Sequence, residues 1–220
     1  MKRFLFIFLA LVMLSTIVPI STHASENTSE RVDILNKASA VFPEYASKIT
    51  LDAKPDSTKC SAEQRELVIS ETRKVSPKEY MVFTEYSDGL WLLDEITVNK
   101  EITYNSTNEI GTEIQIDITV KATCSGANSY FMAQNVKYTI DKYGFDHIDS
   151  IGSPYVHLHY YTYNDYCTYY GYTLNSNETY SKKASVVYSL AFKYTPNSSI
   201  STQLWVEVGS NSLSVHHDIT

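Results

Sequence analysis

The residues best suited to chemistry or recognition lie between Tyr155 and Leu174. Here a chain of 220 residues with 18 tyrosines gathers Tyr155, Tyr160, Tyr161, Tyr163, Tyr166, Tyr169, Tyr170 and Tyr172 around His157 and His159. Phenol rings present an apolar face and a hydroxyl tip, and they are ordered at little entropic cost, so they suit sugars, peptides and protein surfaces. Asn164-Asp165 is a two-residue turn signal, because both residues tolerate the positive φ of a tight hairpin. A hairpin about that turn pairs Tyr163 with Tyr166, Tyr161 with Thr168, His159 with Tyr170 and His157 with Tyr172. Side chains alternate along a strand. One face then carries His157, His159, Tyr161, Tyr163, Tyr170 and Tyr172, the ligand-binding candidates. The other face, with Val156, Leu158, Cys167, Gly171 and Thr173, turns to the core.

Metal and acid–base chemistry fit less well. His157 and His159 bring two imidazoles to one strand face, but zinc needs a third and fourth ligand, and none is near in sequence. The segment Asp141–Asp149 is rich in carboxylates around Gly144 but lacks the ligand order of an EF-hand loop. A nucleophilic Cys–His pair would draw on Cys60, Cys124 or Cys167. These three thiols also admit one disulfide, of which Cys124–Cys167 is the preferred pairing. No nucleophile elbow, zinc-protease helix or phosphate loop is present, so no catalytic residue, metal site or cofactor is assigned. A carboxylate pair for glycoside hydrolysis cannot be located from sequence.

The elements that position these residues are mainly β. Tyr80–Tyr86 and Leu90–Leu93 flank Ser87-Asp88-Gly89, a strong hairpin signal. Ile96 to Tyr104 continues as a strand interrupted near Asn99-Lys100. Ile114, Ile116, Ile118, Val120, Ala122 and Cys124 alternate cleanly with polar residues, which predicts a strand with one buried and one wet face. Tyr130 to Ile140, Ala184 to Tyr194, Leu204 to Val208 and Leu213 to Val215 supply further strands. Turns are expected at Thr195–Ser198 and Gly209–Ser212. Nine or ten short strands with no βαβ alternation predict an antiparallel β-sandwich or barrel-like domain. Ahead of it, Val32, Leu35, Ala38, Phe42, Tyr45 and Ile49 fall on one stripe of an amphipathic helix spanning 29–50, with Ser29 as N-cap and a kink or restart at Pro43.

Lys2-Arg3, the apolar run from Phe4 to Leu14 and the small residues around Thr22-His23-Ala24 predict a secretory signal peptide, residues 1–24. The predicted organisation is therefore a signal peptide (1–24), an N-terminal helix with a polar linker (25–64) and an antiparallel β domain (65–220). The net charge of −7 becomes more negative once Lys2 and Arg3 are removed. Such a chain repels nucleic acid, so no nucleic-acid partner is expected. No later segment is long and apolar enough to span a bilayer. The sequence thus predicts a secreted, extracellular, non-catalytic β module that binds a glycan or protein ligand through its tyrosine-rich face. The alternative is a hydrolase or transferase of the cell envelope whose site sequence does not assemble.

Overall fold

The computed structural model describes residues 24–50, 66–105, 112–125, 130–158, 166–195 and 198–219. At positions 24–29, 105, 130, 157–158, 166–170, 192–195 and 198–200 it describes the backbone only. The order of elements is α1 (Ala24–Val41), a 3-10 turn (Pro43–Tyr45), then β1 (Leu67–Ser76), β2 (Glu79–Tyr86), β3 (Trp91–Asn105), β4 (Thr112–Cys124), β5 (Tyr130–Asp141), β6 (His147–Ile151), β7 (Tyr155–Leu158), β8 (Tyr166–Asn175), β9 (Ala184–Thr195), β10 (Ser198–Gly209) and β11 (Ser212–Ile219). The chain is mainly β and antiparallel, with the layers of a sandwich and without the closure of a barrel. No helix among the described residues is long and apolar enough to cross a membrane.

Two meanders form the sandwich. The larger sheet runs β1-β2-β3-β4-β5-β6, with β7 also on β5. The smaller runs β11-β10-β9-β8. β6 takes Val136–Thr139 of β5 and β7 takes Tyr130–Ala133, so the two share one edge in tandem. Between them Gln134 Nε2 donates to the Gly152 carbonyl at 2.9 Å and pins the break. β11 packs over β3, β10 over β5 and β6, and β9 over β6. β8, one strand further out, is the edge strand of the smaller sheet.

The alternation in β4 sets the core. Ile118, Val120, Ala122 and Cys124 are buried between the sheets with Leu92, Met132, Val136, Tyr138, Val186, Tyr188, Leu190, Leu204 and Val206. The Asp-Gly hairpin forms as the sequence implies: Gly89 takes φ +79°, and Asp88 Oδ1 accepts the Leu90 N–H at 3.1 Å. The expected interruption in β3 is a register shift between Val98 and Lys100. The turn into β11 holds Ser210 and Asn211 at φ 55° and 60°, the left-handed pair that matches strand twist in a tight hairpin.

The helix makes the third layer. α1 starts at Ala24 rather than after a cap at Ser29, and Pro43 opens the 3-10 turn. Ile34, Leu35, Ala38, Phe42 and Ile49 pack on Met81, Phe83, Trp91 and Leu93, on the outer face of the larger sheet. The helix rests on Arg31 where an all-apolar stripe was expected. Arg31 is buried, with Nε donating to Thr123 Oγ1 at 3.2 Å and Nη2 to the Cys124 carbonyl at 3.1 Å. Both faces of β3 are consequently covered, which is why Leu90 to Ile96 is buried without alternation.

Candidate functional site

The tyrosine-rich segment does not fold as the hairpin predicted around Asn164-Asp165. β7 pairs with β5 in the larger sheet, and β8 pairs with β9 in the smaller, so residues 155–158 and 166–175 are in different sheets. His157 is opposite Phe131, not Tyr172, and Tyr172 is opposite Tyr188. The reason is competition between partners. β9 offers β8 a long alternating strand whose buried side chains reward pairing, whereas a local turn signal fixes only the few residues around it. His159, Tyr161 and Tyr163 lie outside the described residues. His157 and Tyr170 are placed by backbone alone, and Cys60 and Cys167 add no described side chain to the disulfide expectation.

The face of β8 is also reversed. Tyr170, Tyr172 and Leu174 are opposite Leu190, Tyr188 and Val186, which are core residues, so they belong to the inner face of the smaller sheet. Gly171 and Thr173, expected inward, are on the outer face. Even so, Tyr172 is 51 % exposed and Leu174 43 %. β8 is the edge strand of the smaller sheet, and at its Tyr172 and Leu174 the inner face is less covered than at the core residues they pair with. Tyr172 packs its ring 6.1 Å from that of Tyr188 and leaves its other side open.

Two polar clusters are invisible at sequence level. Asp94 on β3, His217 on β11 and Thr202 on β10 are brought together inside the sandwich. His217 Nδ1 is 2.8 Å from Asp94 Oδ1, and its Nε2 is 3.1 Å from Thr202 Oγ1. This is the carboxylate, imidazole and hydroxyl order of a nucleophilic triad. Here, however, the Thr202 hydroxyl donates to the Asp218 carbonyl at 2.8 Å, and Thr202 is fully buried. A hydroxyl whose proton is held by the backbone and which no substrate reaches acts as a structural clamp between strands.

The second cluster fastens the helix. Lys37 Nζ donates to both Glu79 and Glu95, and Lys121 Nζ stands 4.0 Å from Glu95. Burial, reinforced by a bond with Glu79, pushes the Glu95 carboxyl above its ordinary range. The bond from Glu95 and then that from Lys37 hold Glu79 below it. Two carboxylates with divergent proton affinities are the mark of an acid–base pair. A retaining glycosidase, however, separates its pair by about 5 Å to admit the sugar. These two bond to each other and to Lys37 beneath α1. The small open groove on the far side of the helix, lined by Val32, Leu35, Asn36, Ser39, Ile49 and Thr50, has no titratable side chain.

The carboxylate-rich loop also differs from a calcium site. Asp146 is buried, and its two oxygens accept the N–H groups of Asp141 at 2.9 Å and Asn211 at 2.8 Å. Glu178, from the β8–β9 loop, accepts the N–H groups of Asp146 and Ser210. Backbone donors take the place a cation would hold. Above them Tyr143, Phe145 and Tyr180 project into solvent. The lone aromatics of Lys142–Phe145 and of Tyr180 carry no pattern in sequence, and only the meeting of two loops makes them a cluster. No protein-family model, no curated protein and no solved structure matches this chain.

Proposed function

We propose that this chain is a secreted, non-catalytic extracellular β module that binds a carbohydrate or protein ligand through tyrosine side chains along β8. Secretion rests on the basic, apolar and small-residue pattern of residues 1–24. The observation that carries the binding reading is Tyr172. It stands on a core-type sheet face next to buried Tyr188, yet half of it is open to solvent together with Leu174. Apolar surface left uncovered at a sheet edge is a frequent mark of an interaction site. A phenol ring held by a neighbouring ring offers a rigid platform with a hydroxyl at its tip. Tyr170 is on the same face of β8, and the proposal includes His159, Tyr161 and Tyr163 as contacts from the segment that leads into it, while His157, in the other sheet, is left out.

The experiment is a screen of the mature protein on glycan and extracellular-protein arrays, repeated with Tyr172→Ala. The reading predicts a bound ligand whose signal disappears in the variant. Binding that survives Tyr172→Ala in full would remove this surface from consideration.

A further inference from the structure

The two edges of the larger sheet are built differently. One is split between β6 and β7, strands of five and four residues. The other is β1, a strand of ten residues that ends the strand order, and no described strand pairs its outer side. Shortness protects an edge against pairing with another chain, and β1 lacks that protection. Its side chains form two rows. Ile69, Glu71, Arg73 and Val75 are half-buried toward α1 and the 3-10 turn. Val68, Ser70, Thr72 and Lys74 are exposed on the opposite face.

The order of charges along this edge is self-complementary. Two copies of β1 set antiparallel about Thr72 place Glu71 of each opposite Arg73 of the other. Ile69 then meets Val75 on the same face, Ser70 meets Lys74 on the other, and Thr72 meets itself. Just beyond the strand, exposed Glu66 comes opposite exposed Lys78. Directly opposite side chains are the closest across a ladder, at about 5 Å between Cβ atoms. The neighbouring registers that keep like faces together oppose Glu71 to Glu71 or Arg73 to Arg73, and like charges so placed are destabilising. The charges therefore select one register. Bulges against β2, between Leu67 and Ile69 and between Lys74 and Ser76, frame the regular stretch around it. Arg73 bonds Glu71 and Glu44 of its own chain and keeps its charge toward the facing Glu71. Glu44, Glu66 and Glu71 are matched by Arg73, Lys74 and Lys78, so this edge is balanced in a chain of net charge −7 whose copies otherwise repel.

We propose that this edge binds a second copy of the chain, β1 pairing with β1 in a two-fold antiparallel dimer whose larger sheets run on as one. Both α1 helices then lie on the same side of that sheet. Main-chain hydrogen bonds supply the attraction, and the charge order supplies the register. Pairing uses up the edge, so assembly closes at two copies. A single shared ladder is a small interface, so the dimer forms in the micromolar range. The interface is in the other sheet from Tyr172 and stands independently of the ligand reading.

The test is sedimentation equilibrium of the mature protein over a micromolar concentration range. The proposal predicts a monomer–dimer equilibrium. Thr72→Lys sets two ammonium groups on the two-fold axis at a position exposed in the monomer. This variant keeps its melting temperature and dimerises at least about ten-fold more weakly. Glu71→Arg and Arg73→Glu, each monomeric alone, dimerise when mixed, because every opposed pair in the mixture is again of opposite sign. Arg73→Glu also loses its bonds to Glu44 and to the Val41 carbonyl, so its melt is recorded first. If it does not fold, Thr72→Lys decides. A parent that stays monomeric, a Thr72→Lys variant that dimerises as the parent, or folded charge variants that do not associate when mixed each overturns the proposal. A dimer lost in Tyr172→Ala but kept in Thr72→Lys also overturns it, by moving the interface to β8.

Discussion

The imidazole of His217 and the carboxylate of Asp94 meet at 2.8 Å across the interior of the sandwich, with side chains 1 % and 4 % exposed. The contact ties the last strand to β3, between residues 123 positions apart in sequence. It also explains how the smaller sheet is fixed in register over the larger one. Apolar contacts alone tolerate sliding, whereas a directional bond inside the core does not.

Removing one partner leaves the other buried and unmatched. Asp94→Ala leaves the buried His217 Nδ1 without its partner and is therefore expected to cost about 1–3 kcal/mol, while replacing both residues by leucine costs less. Urea unfolding of the single and double variants checks this. A single-variant loss no larger than that of the double would mean that the two side chains are not coupled.

The faces of β4 give a second prediction. Ile118 is fully buried, so Ile118→Asp introduces an unpaired charge into the core and is expected to unfold the domain or cost at least about 4 kcal/mol. Asp117→Ile, one position along, removes only the 3.3 Å bond from Asn99 Nδ2 and is expected to cost less than about 1 kcal/mol. Reversed ordering in thermal melts would contradict the assigned faces.

The helix tether gives a pH dependence. Burial raises the folded-state pKa of Glu95, so its contribution to stability is present below the unfolded value of 4.5 and lost as pH rises through the folded value. Glu79 has the opposite sign, because its lowered pKa contributes stability that is lost as pH falls through the folded value. Lys37, despite burial that lowers it, is raised by its bonds to Glu79 and Glu95, so its contribution is lost only at alkaline pH. Replacing Glu95 by Gln removes its ionisation while keeping an amide that can donate to Glu79, and the partner that Lys37 loses bears on the pH dependence only at alkaline pH. The melting temperature of Glu95→Gln is thus expected to rise relative to the parent as pH increases from acid to neutral. A gap that narrows over that range would contradict the sign given to Glu95.

The carboxylate stitching gives a fourth prediction. Asp146→Ala strips the partners from the Asp141 and Asn211 N–H groups, at about 1–3 kcal/mol for each donor left unsatisfied. Hydrogen exchange at those two amides should accelerate together. Independent behaviour would show that the loops are not one unit.

Much of the fold was legible because it is local or periodic. The β4 alternation, the Asp-Gly hairpin, the break near Asn99 and the turn at Ser210-Asn211 each depend on a few neighbouring residues. The tyrosine segment misled because Asn164-Asp165 carries a local signal, while the partner of β8 is decided by β9, which lies further along the chain. Its face differs for a related reason: polarity marks what is wet, and an edge strand can be wet on its inner side. Arg31 and Glu95 sit where pattern reading expects apolar or solvated residues. Their partners come from other elements, so neither burial nor pairing could be read from spacing. The pairing of Asp94 with His217 has no sequence signature at all.

Tyr172 and Tyr188 test the central claim most directly, since they share a sheet face with rings 6.1 Å apart while one is open and the other fully buried. The measurement is melting temperature and ligand affinity, side by side, for Tyr172→Ala and Tyr188→Ala. The account predicts that Tyr188→Ala loses about 3–5 kcal/mol of stability. Tyr172→Ala should melt as the parent does and lose ligand binding. A Tyr172→Ala variant that binds normally, or one that unfolds as readily as Tyr188→Ala, would contradict it.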